Sequence, residues 1–392
     1  MVRSLSHGIR NPMPLIIDAH LDLAYNALSF QRNYLLAAAQ TRQIEQGSAI
    51  PQRNGHTLLG WPDMQRGQVA LVFGTLFLTP RRYARQWETQ AYADAGEAHV
   101  LYEQQLTYYR RLTEDHSDQF RLVCNQDDLR NVLEPWGTEP AYLPAPGPVG
   151  NESDPDTRPT VTHPVGIVLL LEGAEGIRAP QEIEFWWDLG VRIAGPVWAG
   201  IRFCGGTYEP GGFTHEGLEL LEIMGGLGMT LDISHMNEAS ALQALDRYEG
   251  HVVATHANAR ALLKGIEGER HLTDQTILRL IERDGMMGII PFNRFLYPGW
   301  TSSDDRQKTS LRTVAAHIDH VCQLAGDARH VGIGSDFDGG FGWPAVPQEV
   351  DTISDLQKLA QVLQDYGYHA ESIADILSGN WRRHLERSLP GS

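Results

Sequence analysis

The stretch VGIVLLLE, Val165 to Glu172, is an apolar run that ends on a carboxylate. Seven apolar residues without strict alternation describe a strand buried on both faces, as in a parallel sheet. A carboxylate placed directly after such a run is expensive to bury unless it is paired or bound to a cation. Seven further short runs fit the same description. They are Leu15–Ala19, Val69–Leu78, Val191–Trp198, Met229–Ser234, His251–Thr255, Met286–Phe292 and Val331–Ser335. Segments with helical spacing lie between them, GLELLEIMGGLG and DLQKLAQVLQDYG among them. Strands alternating with helices predict βαβ units and a parallel sheet.

Four more runs stop where a metal-ligating residue type appears. His20 and Asp22 follow in IIDAHLD, His235 in LDISH, His256 in VVATH and Asp336 in GIGSD. With Glu172 that makes six candidate ligands from at least five strands. A closed ring brings such strand ends to one axis, whereas an open sheet spreads them out. No GxGxxG follows the first strand, which disfavours the doubly wound, dinucleotide-binding alternative. The expected fold is therefore a (β/α)8 TIM-type barrel, a single domain over residues 1–392. Residues 134–164 (EPWGTEPAYLPAPGPVGNESDPDTRPTVTHP) are rich in Pro, Gly, Asp and Thr, and read as an insertion loop with neither helix nor strand.

The individual residues carry unequal weight. His20 and Asp22, two apart, share one side of a strand, and Asp18 has the same parity and is placed to orient a ligand from behind. His235 and His256 are one βα unit apart, so neighbouring strands present two imidazoles side by side. Asp338, just before Gly339, reads as a turn aspartate rather than a ligand. Mixed nitrogen and oxygen ligation suits Zn²⁺, with Mn²⁺, Fe²⁺ or Co²⁺ as substitutes. Six ligands exceed the needs of one tetrahedral zinc, which favours two ions able to hold a hydroxide and polarise a carbonyl.

Composition narrows the partners. Hydrophobic residues are 42% and charged residues 21% of 392, and the formal net charge is −17. A surface this acidic repels nucleic-acid backbones and anionic membranes. Three widely spaced cysteines without a CxxC pair predict free thiols. With no apolar run long enough for a signal or a membrane span, the expectation is a cytoplasmic protein.

In the order and spacing of DAHLD, LEG, LGVR, LDISH, ATH, RHLTD (Arg270–Asp274), GIGSDFDG and SGNWRR, the sequence resembles the renal (membrane) dipeptidase family, peptidase family M19 of the amidohydrolase superfamily. The resemblance runs from about Ile16 to Arg383. It implies a binuclear zinc site in which His20, Asp22 and Asp336 hold one ion, His235 and His256 the other, and Glu172 bridges them. Asp336 would also take the proton of the attacking water, and Arg270 would bind the substrate carboxylate. The implied reaction is hydrolysis of small dipeptides, including those with a D-residue at the C-terminal position, by a metal-bound hydroxide. Homodimers are common among such relatives.

Two positions depart from the family pattern. Trp198 stands where the family has an oxyanion-stabilising histidine, and an indole offers one uncharged N–H in its place. His215, in the loop that follows, is a possible substitute. Asn293 stands where the family has a substrate-contacting tyrosine. These departures keep open a related metal-dependent hydrolase acting on another amide, ester or lactone, and more remotely a non-catalytic metal-binding barrel.

Overall fold

The computed structural model describes residues 13–143, 160–265 and 268–391. Eight strands form the central sheet: β1 (Ile16–Leu21), β2 (Val69–Phe77), β3 (Val165–Glu172), β4 (Val191–Gly195), β5 (Thr230–Asp232), β6 (Val252–Ala254), β7 (Met286–Ile289) and β8 (Val331–Ile333). Each pairs in parallel with the next, and β8 returns to β1. The ring is a closed (β/α)8 barrel. A short strand, Phe120–Leu122, extends the sheet beside the first residues of β3. Every residue of β2 and β3 is buried, which explains why their sequences lack alternation.

Helices follow every strand and cover the ring from outside. The Ala95–Asp115 helix is capped by Asp94, whose carboxylate accepts from the backbone N–H groups of Gly96 and Glu97. The His215–Leu227 and Asp274–Glu282 helices are capped by the hydroxyls of Thr214 and Thr273. None of the described helices is long and apolar enough to cross a membrane.

The expected loop at 134–164 begins too early. The Gln126–Thr138 helix runs into it, with Pro135 in its last turn. Its buried face, Leu129, Val132, Leu133 and Trp136, keeps helical spacing past Glu134, and the Trp136 indole donates to the Pro164 carbonyl at 2.9 Å. That burial outweighs the proline. Residues 144–159 of the segment lie outside the described residues.

The late SGNWRR motif fastens the C-terminal helix, Asn380–Ser388, to β8. Asn380 donates to the carbonyls of Ala328 and Val331 at 2.6 and 2.8 Å. Trp381 donates to the Ile333 carbonyl at 3.0 Å and lies flat against Gly332, where an added Cβ would come within 2.3 Å of the indole nitrogen.

After β8, Asp338 does sit in a turn, at φ 67°, but its side chain has a structural task that the reading did not foresee. It is fully buried and pairs with the equally buried Arg32 at 2.9 Å. Its carboxylate also accepts from Thr57 Oγ1 (2.5 Å) and the Leu58 N–H (2.9 Å). Asn26 and Asn54 donate to its carbonyl, each at 2.9 Å. The loop after β8 is thereby tied to the segment after β1. Removing one partner of a buried ion pair leaves an uncompensated charge. Asp338→Ala is therefore expected to cost about 3–5 kcal/mol, measured as a lower midpoint of urea unfolding; an unchanged midpoint would show that the pair is dispensable.

Candidate metal centre

All six predicted ligands meet at the carboxyl-terminal rim of the barrel. His20 lies within β1, and Glu172 is the last residue of β3. Asp22, His235, His256 and Asp336 sit just past the ends of β1, β5, β6 and β8. Side-chain ligand atoms of His20, Asp22 and Asp336 lie within 4.8 Å of one another, and so do those of His20, Glu172 and His256. Glu172 stands between the imidazoles. Its Oε2 is 3.0 Å from His20 Nε2, while its Oε1 is 2.9 Å from His235 Nε2 and 3.5 Å from His256 Nε2. The Nε2 atoms of His235 and His256 are 2.9 Å apart.

Hydrogen bonds on the far side of each ring assign the tautomers. The Thr255 hydroxyl donates to Asp232 Oδ2 at 2.5 Å. Its oxygen is then left to accept from His256 Nδ1 at 3.0 Å and His20 Nδ1 at 3.2 Å. Thr207 repeats the device, donating to the His235 carbonyl at 3.2 Å and accepting from His235 Nδ1 at 3.0 Å. With Nδ1 protonated, all three Nε2 atoms present lone pairs to the Glu172 carboxylate. Acceptors facing acceptors in a buried site need either a proton or a metal cation between them. The donor set fits divalent metal ions, and the hydroxyls behind the rings are the orienting partners such ligands require.

Two carboxylates that are not ligands hold the rim in shape. Asp18 accepts from the Ser335 N–H at 2.7 Å and its hydroxyl at 2.5 Å, so it orients the backbone before Asp336, as its parity suggested. Asp232, which the sequence reading passed over, accepts from Ser234 N and Thr255 N at 3.0 and 3.1 Å. It fixes the residues preceding both His235 and His256. Its signal was present: in both DAHLD and LDISH an aspartate precedes the ligand loop. Asp336 adopts φ 56°, and its carboxylate lies where a Cβ on Gly339 would stand. Only glycine fits there.

Charge at the rim reflects burial. Burial pushes the Asp22 carboxyl up to about 7, helped by the neighbouring Glu172 charge. It pushes Glu172 up to about 8, against the opposing pull of Arg270. Asp336 is held well above the usual carboxylate range by burial and by Asp22 and Glu172. Burial, with Arg270 and the neighbouring rings, keeps His235 and His256 neutral.

The rim opens into a cavity of about 840 Å³ lined by Asp22, Glu172, His235 and Asp336 together with aromatic and arginine side chains. Arg270 lines it beside the ligands. Its guanidinium donates to the carbonyls of Ser234 and His256, each at 3.0 Å, and its remaining N–H groups are available to an anion. Within RHLTD the roles divide: Arg270 and His271 line the cavity, while Thr273 caps the next helix. His271 was not singled out in the sequence. Trp198 is also in the wall, packed on Phe77 and Tyr208 with ring centroids 5.3 Å away and on His235 at 5.9 Å. His215 is exposed at a helix start and does not line the cavity. Asn293, expected as a substrate contact, is not among the residues that line the cavity. It is fully buried outside the cavity lining, accepting from Thr309 and donating to the Val346 carbonyl. Its neighbours Phe292, Arg294 and Phe295 face the cavity instead.

A barrel with convergent histidines and carboxylates at its carboxyl-terminal rim is built to hold divalent metal ions. The profile of the membrane dipeptidase family (peptidase family M19) matches residues 153–388, and the chain belongs to that family. Membership brings dependence on a divalent metal and the dipeptidase class of enzyme. An uncharacterized Klebsiella pneumoniae protein encoded in the pqqA 5′ region is 31% identical over 57% of this chain and 82% of its own length. The dipeptidase aclJ of Aspergillus oryzae is 30% identical over 58% of this chain, a region spanning about half (54%) of that relative. The fold is shared with a Rhodobacter sphaeroides metallopeptidase solved with a phosphinate mimic of L-Ala-D-Ala. The TM-score is 0.74 at 22% identity, covering 96% of this chain and all of that one.

Carboxyls whose folded pKa lies above the unfolded value of about 4 take up protons on folding. Their favourable contribution to the metal-free fold is complete below that value and is lost as pH rises through about 7–8. A cation displaces those protons. Affinity for Zn²⁺ is therefore expected to rise between about pH 6 and 8 with proton release, as followed by calorimetry in buffers of different ionisation enthalpy; pH-independent affinity without proton release would contradict it.

Proposed function

We propose that the chain is a binuclear zinc dipeptidase acting on small free dipeptides, including those with a D-residue at the C-terminal position. The observation that carries this reading is the placement of Glu172, with one carboxylate oxygen toward His20 and the other toward His235 and His256. A carboxylate shared in this way suits a pair of ions. His20, Asp22 and Asp336 are assigned to one ion, and His235 and His256 to the other. Bound there, divalent ions lower the pKa of water and polarise an amide carbonyl.

The chain's own groups supply the rest. Asp336 is the residue assigned to accept a proton from the attacking water and pass it to the leaving amine, since its carboxylate stands at the rim within reach of the His20 and Asp22 ligand atoms and faces the cavity. Arg270, anchored to the carbonyls next to the ligands, is assigned the substrate's α-carboxylate. Arginine suits that task because its N–H groups form a rigid fork. The Rhodobacter sphaeroides neighbour's dipeptide mimic carries a D-residue second, which supports the stereochemical part of the proposal.

A second reading, hydrolysis of another amide, ester or lactone on the same metal centre, is favoured by Trp198. Its indole forms a wall of the cavity and brings no charge to a developing oxyanion.

The test is turnover by the zinc-loaded protein of L-L, L-D and D-D dipeptides, with N-acylated controls. Free dipeptides should be cleaved, and Arg270→Ala should raise KM for a free dipeptide by about 10–100-fold, in keeping with loss of a charged hydrogen-bonded pair, while changing that of its C-terminal amide far less. Equal effects on acid and amide would remove the carboxylate role. Absence of dipeptide turnover with metal bound would favour the second reading.

A further inference from the structure

The cavity is larger and more cationic than a small neutral dipeptide requires. Its volume of about 840 Å³ lies towards the top of the range of about 300–1,000 Å³ that accommodates drug-sized ligands. Four guanidinium groups line it: Arg53, Arg85, Arg270 and Arg294. Arg270 is spoken for by the α-carboxylate, an assignment this inference takes over from the proposed function. The other three are exposed, and none has an ion pair among the described residues.

This is unexpected in a chain with 49 acidic and 32 basic residues and a net charge of −17. Many arginines elsewhere on its surface are matched by carboxylates, as in Arg81–Glu97, Arg82–Glu209, Arg178–Glu182 and Arg382–Glu386, and those without such a partner among the described residues, Arg110, Arg121, Arg247 and Arg329 among them, are not in the described lining of this cavity. Outside the metal-facing set, Glu88 is the only carboxylate in the described lining, one negative charge against three outer guanidinium groups; its oxygens accept from the backbone N–H of Arg85 at 3.0 Å and the Tyr25 hydroxyl at 3.2 Å. The three metal-facing carboxylates are offset when divalent ions are bound. What remains is a positive field inside an acidic protein, concentrated by low-dielectric walls.

An aromatic wall holds one of these cations in place. Arg53 lies over the Trp87 ring, 5.2 Å from its centroid, and Trp87 packs on Phe30 at 5.5 Å. A guanidinium stacked on an indole keeps its N–H edges free for an anion. Arg294 comes from the segment after β7, whose next residue, Phe295, supports Arg270 at 5.5 Å.

We infer that the site selects substrates bearing a second carboxylate beyond the α-carboxylate: dipeptides with an acidic side chain. Arg270 takes the α-carboxylate at the metal rim, and Arg53, Arg85 and Arg294 take the distal one in the outer part of the cavity. The outer arginines are specificity determinants that act on binding rather than on the chemical step.

The experiment uses the zinc-loaded full chain and isosteric pairs, Glu-Ala against Gln-Ala and Ala-D-Glu against Ala-D-Gln. Discrimination is read as kcat/KM where a peptide is turned over and as Kd by calorimetry where it is only bound. The acidic member of at least one pair should be favoured by about tenfold or more at low salt, with the advantage shrinking as ionic strength rises. The double variant Arg53→Gln/Arg85→Gln, or Arg294→Gln, should remove most of that advantage through KM or Kd, lowering the acidic member's kcat/KM or affinity by at least about fivefold more than the amide member's. Equal handling of the acidic and amide members, binding of neither, or an equal loss for both in the variants would overturn the inference. Failure of the dipeptidase reading looks different, because peptides would bind, with or without discrimination, and none would be cleaved.

Discussion

A buried cluster of acceptors that have nothing but one another to face is the constraint on which this structure depends. Three imidazole nitrogens present lone pairs to one carboxylate, and two more carboxylates close the ring. Such a cluster is unfavourable in isolation: ions must supply the missing positive charge, or protons must occupy the oxygens. The raised pKa values of Asp22 and Glu172 describe the second state. The barrel makes the cluster possible by converging strand ends from across its circumference, and the surrounding hydrogen bonds make it persist.

Those bonds come largely from three carboxylates that touch no metal-facing atom in the roles assigned here. Asp18 fixes the residue before Asp336, Asp232 fixes the residues before His235 and His256, and Asp338 binds the β8 loop to Arg32 and the segment after β1. Each turns the end of a strand into a rigid bracket. Thr255 links two of these effects, because one hydroxyl that donates to Asp232 sets the tautomers of both His20 and His256. Precise placement at a site of this kind comes from partners behind the ligands as much as from the ligands.

Much of this was legible in the sequence, for a physical reason. Strands buried on both faces leave continuous apolar runs, and a polar residue at the end of such a run has few inexpensive explanations. That logic located Glu172, His235 and His256 and the order of the strands. It was weaker wherever a side chain's partners lie far away in the chain. Asp338 is a turn residue, as it looks, but its buried pairing with Arg32, 306 positions earlier, is not readable from the turn. Asn293 occupies an aligned position, yet its amide turns inward to Thr309 and Val346, and the cavity is met by its neighbours. The helix through Pro135 is hidden by the Pro- and Gly-rich composition around it, although Leu129, Val132, Leu133 and Trp136 keep helical spacing. The cationic lining was not visible at all, since Arg53, Arg85 and Arg294 come from separate loops and only the fold gathers them.

The most direct test of the central claim is a count of metal ions per chain, by equilibrium dialysis against Zn²⁺ with elemental analysis, on the wild-type protein and on Glu172→Ala. If Glu172 joins two ions, the wild type should hold two tightly bound ions, and the variant should retain no more than one at the same free Zn²⁺. A single ion in both proteins, or two in both, would contradict a shared carboxylate at the heart of the site.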